Sequence, residues 1–195
     1  NSTVTTASND VDGNVMVVRK TVPTIELVDL PSTTLTDGTK TISKFTITAD
    51  AAGDIYFKEL NWTYATTTGV DITDSTIKLY KESDQSTALN SADSLSGDAN
   101  KTIEVVLSSE ELVGAGDSET YVLKGTVTGS AANKSFSTNL LASAVSTAGT
   151  STSYTELLGY ETGGILWSDI STTPHDSSSR DYADCTYVKN LPTDS

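Results

Sequence analysis

Apolar and polar residues alternate along much of the chain. Phe45, Ile47 and Ala49 fall on one side of an extended segment and Thr46 and Thr48 on the other; Ile103, Val105 and Leu107 repeat the device. A period of two marks a strand with one face buried and one face wet. Runs of this kind, at 15–19, 24–30, 40–50, 54–64, 75–81, 101–108, 119–129, 134–146, 153–158, 164–168 and 186–191, are separated by clusters of Gly, Asp, Asn, Ser and Thr. Short strands at such spacing predict a two-sheet sandwich rather than βαβ units.

Three local features refine this reading. After Asp54 the apolar parity switches from Ile55 and Phe57 to Leu60, Trp62 and Tyr64, which predicts a bulge near Lys58 and Glu59 or a strand covered on both faces. The link 49–54 is a hairpin or a crossing between sheets; the Ig pattern favours the crossing, with Trp62 packed between the sheets, against the alternative of a Trp on a ligand face. Gly114, Gly116 and Tyr121 resemble the tyrosine corner at the start of a penultimate strand, so Tyr121 is expected to tie its hydroxyl to nearby backbone. The one helix-like start, 108–112, is too short for more than a turn. The chain is therefore expected to be all-β, an Ig-like antiparallel β-sandwich, with an N-terminal extension at 1–22, the sandwich at 23–150, and strands in 151–195 that complete or extend it.

Charge narrows the function classes. Twelve Lys and Arg against 26 Asp and Glu give a net charge of -14, which repels nucleic acid over most of the surface. Cys185 and His175 are each the only residue of their type, so no intrachain disulfide or Cys/His zinc set exists; Cys185 reads as a small buried hydrophobe. No apolar run is long enough to span a membrane, and Asn1 in place of an initiator Met suits a processed chain or an excised fragment. GxSxG, HExxH, Walker and GxGxxG patterns are missing. His175 sits in a polar loop, where an exposed side chain is expected. The chain reads as a non-enzyme without catalytic residues.

Asp10, Asp12 and Asn14 resemble the start of a calcium loop, but no bidentate Glu follows, and an Asp-Gly turn explains the same residues. Calcium is the only cofactor this leaves open. Asn1, Asn61, Asn100 and Asn133 match the N-glycosylation acceptor; Asn100 and Asn133, near turns, are the better candidates, and Asn61 beside Trp62 is a poor one.

The segments 30–35, 45–55 and 77–80, then Ile165-Leu166-Trp167-Ser168-Asp169, the Ser-rich loop to Asp181-Tyr182 and 187–192, resemble Ig-like repeat domains of large exported surface proteins of uncultivated candidate-phylum, Patescibacteria-like bacteria. The resemblance spans roughly Val22 to Ser195. It implies an exported, surface-associated repeat and no chemistry. The chain departs from that group at Asp184-Cys185-Thr186, where the closing strand usually begins with Gly or an aromatic.

Together these features point to a structural subunit of an extracellular surface filament or surface layer, a homopolymer. Its N-terminal run either forms the first strand at home or pairs with a neighbour. In the second case Val15, Val17 and Ile25 would fill a groove between the neighbour's sheets. The alternative is an adhesin or carbohydrate-binding module that takes glycans on exposed rings, with Trp167, Tyr154, Tyr160 and Tyr182 as platforms.

Overall fold

The longest apolar pattern in the chain organises the molecule. Ile55 and Phe57, then Leu60, Trp62 and Tyr64, all face the interior because the register slips between Phe57 and Glu59, where Lys58 is one extra residue against β9. The bulge reverses the parity so that both halves of the strand bury their apolar side. The computed structural model describes residues 19–96, 101–141, 164–171 and 175. Within them lie nine strands: β1 (Thr24–Leu27), β2 (Gly38–Thr48), β3 (Ile55–Thr66), β4 (Asp71–Lys81), β5 (Ala92–Ser96), β6 (Thr102–Val113), β7 (Ser118–Thr128), β8 (Phe136–Leu140) and β9 (Ile165–Ser168).

One antiparallel sheet has the order β1-β2-β7-β4. The other runs β5-β6-β3, and the free side of β3 is shared by β8, opposite Trp62 to Thr66, and β9, opposite Tyr56 to Leu60. The first sheet reproduces the A-B-E-D order of an Ig domain, with β7 in the place of E, and β3 holds the place of C in the facing sheet. The protein is an Ig-like antiparallel β-sandwich. The link from Ala49 to Asp54 crosses between the sheets, as the Ig pattern requires.

Between the sheets lies an aromatic cluster. The Phe45 ring meets Trp62 at 5.9 Å and stacks on Tyr121 at 5.7 Å, while Phe57 meets Tyr121 edge-on at 5.1 Å. Such pairs contribute about 0.5–1.5 kcal/mol beyond area burial. Trp62 is fully buried, and its Nε1–H donates across the interior to Ser43 Oγ at 3.2 Å. On the outer face of the first sheet, hydroxyl pairs join neighbouring strands: Thr46 with Thr120 at 2.8 Å and Thr48 with Ser118 at 2.7 Å.

Several expectations need correction. The segment 108–112 is not a helix start; β6 continues through it, opposite Phe57 and Tyr56 beyond the bulge, because pairing overrides weak local propensity. The strand at 24–30 ends at Leu27, the strand at 75–81 begins at Asp71, and β5 was not visible in the hydrophobic pattern. The runs at 153–158 and 186–191 lie outside the described residues.

Tyr121 does not form a tyrosine corner. It lies on β7, buried between the sheets, and its hydroxyl approaches Glu111 Oε1 on β6 at 3.4 Å instead of backbone. Lys81 pairs with the same Glu111 carboxylate, so three strands meet at one polar clasp.

Burial pushes the Tyr121 phenol well above its ordinary range, and the charges of Glu111 and Glu119 add to the effect. In the unfolded chain this phenol ionises near pH ~10, so its folded pKa is the higher of the two. The stability it contributes is complete below about pH 10 and is lost as pH rises above that value. Tyr121→Phe is therefore expected to cost at most about 1 kcal/mol near neutrality and to flatten the alkaline fall in stability. Urea midpoints measured from neutral to strongly alkaline pH check this; parallel curves for the two proteins would refute it.

Candidate functional site

The two lateral sides of the sandwich are finished differently. On the β4 side, residues 89–91 cover the edge at Ile77 and Leu79. Asn90, buried, accepts the Leu79 N–H on its Oδ1 at 2.8 Å and donates through Nδ2 to Ile77 O at 3.1 Å. Leu89 N–H bonds Leu79 O at 2.8 Å, and Leu89 O accepts Ser108 N–H of β6 at 2.9 Å. This short segment supplies the rungs of a missing strand to β4 and ties one sheet to the other.

On the β2 side the edge is only half covered. β1 pairs with β2 from Thr24 opposite Thr48 to Leu27 opposite Phe45, and the last rung is Val28 N–H to Lys44 O at 2.9 Å. The chain then turns through Asp29 and Leu30 to Pro31. Beyond Lys44, β2 keeps β7 on one side and has no strand among the described residues on the other.

A groove of about 670 Å³ lies along this open edge, walled by Leu27, Val28 and residues 30–36 on one side and by Lys134 to Thr138, at the start of β8, on the other. Its apolar floor includes buried Ile42 and Val127, with half-buried Leu35 and Phe136 packed beside them. Thr138 Oγ1 donates to Ile42 O, so this backbone carbonyl points toward the groove and not into the β2–β7 ladder. A bulge between Thr41 and Ser43 causes that reorientation. Lys40, Lys44 and Lys134 line the groove, and no Asp or Glu does. Lys44 pairs with Glu82 at 2.6 Å, and Lys134 donates to Thr68 O.

At the opposite end of the same lateral side, the termini of the sandwich are fastened together. Asp169, fully buried, accepts Lys20 N–H on Oδ2 at 2.8 Å, and its Oδ1 accepts Ser171 N–H at 3.3 Å and Ser171 Oγ–H at 2.6 Å. Arg19 lays its guanidinium over the Trp167 ring at 5.1 Å. β9 thus completes the second sheet and holds the chain entering β1.

The predicted site residues fall into distinct places. Ile25 is not available for assembly: it is fully buried in β1, opposite Ile47 of its own chain. Trp167 is fully buried in β9 and cannot serve as an exposed sugar platform. His175, expected on an exposed loop, is half-buried; its ring stacks on Tyr56 at 5.2 Å, and Nε2 lies 3.4 Å from Glu110 Oε2. Asn133 is exposed at a turn with φ of 63°, beside groove residue Lys134, whereas Asn61 is buried. Asp10, Asp12, Asn14, Val15, Val17, Asn100, Tyr154, Tyr160, Tyr182 and Cys185 lie outside the described residues. Among the described residues no three His, Cys, Asp or Glu side chains gather as a metal site, and no helix is long and apolar enough to cross a membrane. Sequence reasoning missed the groove itself.

No protein-family model matches the sequence, and no curated protein matches it. Among solved structures the chain is similar to the pilus backbone RrgB from Streptococcus pneumoniae, at 13% identity and a TM-score of 0.29, over 61% of this chain and 51% of that one. It is also similar to the full-length structure of the RrgB pilus protein, at 13% identity and a TM-score of 0.26, over 54% of this chain and 19% of that one. The chain thus spans about half of the first of these proteins and about a fifth of the second.

Proposed function

We propose that this chain is a structural, non-catalytic subunit of an extracellular surface filament or surface layer, and that copies assemble through strand pairing. The observation that carries the reading is the edge of β2 beyond Lys44, which lies above an apolar groove and has no strand partner among the described residues, whereas residues 89–91 cover the β4 edge at Ile77 and Leu79. An open edge offers a row of backbone donors and acceptors, and a strand from another chain satisfies them while burying its own apolar side chains. Hydroxyl pairs across the outer face of the first sheet and a net charge of -14 suit a surface that stays hydrated and does not associate face to face.

Negative-stain imaging of the purified full chain, with light scattering across a concentration series, tests the proposal. Fibres or lattices of regular repeat are the expected result. Discrete monomers at all concentrations would overturn it.

A further inference from the structure

We infer that β8 and β9 are two halves of one strand, that residues 142–163 are an insert carried at its break, and that the sandwich neither needs this insert nor comes apart when the chain is cut within it. This holds for the single chain, whatever copies of it assemble into.

Leu140 of β8 lies opposite Trp62, and Ile165 of β9 lies opposite Leu60; both halves are antiparallel to β3 and so run the same way. An unbroken strand would place one residue between them, opposite Asn61. Two residues share that position instead. Leu141 N–H donates to Asn61 O at 2.9 Å, and Asn61 N–H donates to Gly164 O at 2.9 Å. In an antiparallel ladder these are the two bonds that one residue exchanges with the residue opposite. Here they are divided between the end of one half and the start of the other. The ends touch: a Cβ on Gly164 would run into the Leu141 carbonyl, so only glycine fits. The chain therefore leaves the ladder after Leu141 and rejoins it at Gly164 without the loss of a rung.

The second half is also fastened without help from the insert. β9 has four residues, and the core holds it as much as the ladder does. Ile165 and Trp167 are buried among the side chains of both sheets, Asp169 accepts Lys20 N–H at 2.8 Å, Arg19 covers the Trp167 ring, and His175 stacks on Tyr56. All of these partners lie outside residues 142–163. The break is thus a point at which sequence can be lengthened, replaced or clipped while the core and both edges stay as they are. For a subunit outside the cell, a proteolytic cut at this point leaves the domain whole.

Two variants of the full chain test this. In the first, residues 142–164 are deleted, so that Leu141 alone faces Asn61 and continues in register into Ile165. A cooperative thermal transition with a midpoint within about 5 °C of the parent's, or above it, is expected, because the closure entropy of the loop is removed with the loop. A lower midpoint, or no cooperative transition, would show that the sandwich depends on the insert and would overturn the inference. In the second, a site-specific protease sequence replaces residues 149–154, and the folded chain is cut there. Two fragments under denaturing conditions are expected to elute together under native ones, at the parent's volume, with the blue-shifted emission of buried Trp62 and Trp167 retained. Resistance of the folded chain to the protease, or release of the C-terminal fragment without denaturant, would overturn the inference independently of the deletion.

Discussion

Trp62→Ala is expected to cost about 3–5 kcal/mol of folding stability, a large part of the roughly 5–15 kcal/mol that a domain possesses. The size of the effect follows from position. Trp62 is fully buried on the central strand of its sheet, its ring tilts against Phe45, and its Nε1–H satisfies Ser43 Oγ on the facing sheet. Alanine leaves a cavity that the paired backbone of β3, held by β6 and β8, cannot collapse to fill. It also orphans a buried hydroxyl. The unfolding midpoint should fall by about 10–15 °C.

Trp62→Phe separates the two components. It keeps most of the ring volume and loses the indole donor, so an intermediate loss of about 1–3 kcal/mol is expected. Both tryptophans are buried in the fold, so the red shift of their emission on unfolding reports the transition, with Trp167 as the remaining probe in each variant. A cost for Trp62→Ala of only about 1 kcal/mol would place the ring at a site that relaxes, contrary to a strand pinned on both edges.

The parts of this fold that could be read from sequence are those in which side-chain periodicity and burial coincide. Phe45 and Ile47, Ile103 and Val105, and the parity switch around Lys58 all declare a face, and all are where the pattern puts them. β5 could not be read this way: Ala92-Asp93-Ser94-Leu95-Ser96 has no apolar period and is held by backbone pairing with β6. The outer half of β6 was hidden for a related reason. Glu110 and Glu111 beside Ser109 look like a helix start, yet Phe57 opposite Glu111 and Tyr56 opposite Leu112 hold the segment in the strand. The role of Tyr121 was misread because a local motif does not show that a carboxylate on β6, Glu111, meets its hydroxyl in place of backbone. Burial of Trp167 depends on a four-residue strand whose partner is more than a hundred residues away. The groove is less legible still, because it is defined by where β1 stops, at Leu27, and no period of apolar residues marks that point.

If the sealed edge of β4 is what confines strand pairing to β2, then unsealing it should have two separable consequences. Asn90→Ala removes the partners of Leu79 N–H and Ile77 O, both served by one buried amide. Each orphaned buried group costs about 1–3 kcal/mol, so a loss of about 2–4 kcal/mol is expected by chemical denaturation. Asn90→Asp is no rescue. Its carboxylate can still accept from Leu79 N–H, but it cannot donate to Ile77 O and sets charge against that carbonyl. The second consequence concerns association. With the amide gone, β4 presents an unpaired edge of its own, and a molecule with two competing edges should yield branched or irregular aggregates where the parent yields regular polymers. Light scattering and imaging at a temperature where the variant stays folded distinguish this from simple unfolding. Regular polymers from a folded, destabilised Asn90→Ala chain would show that β4 is excluded from pairing by something other than this amide.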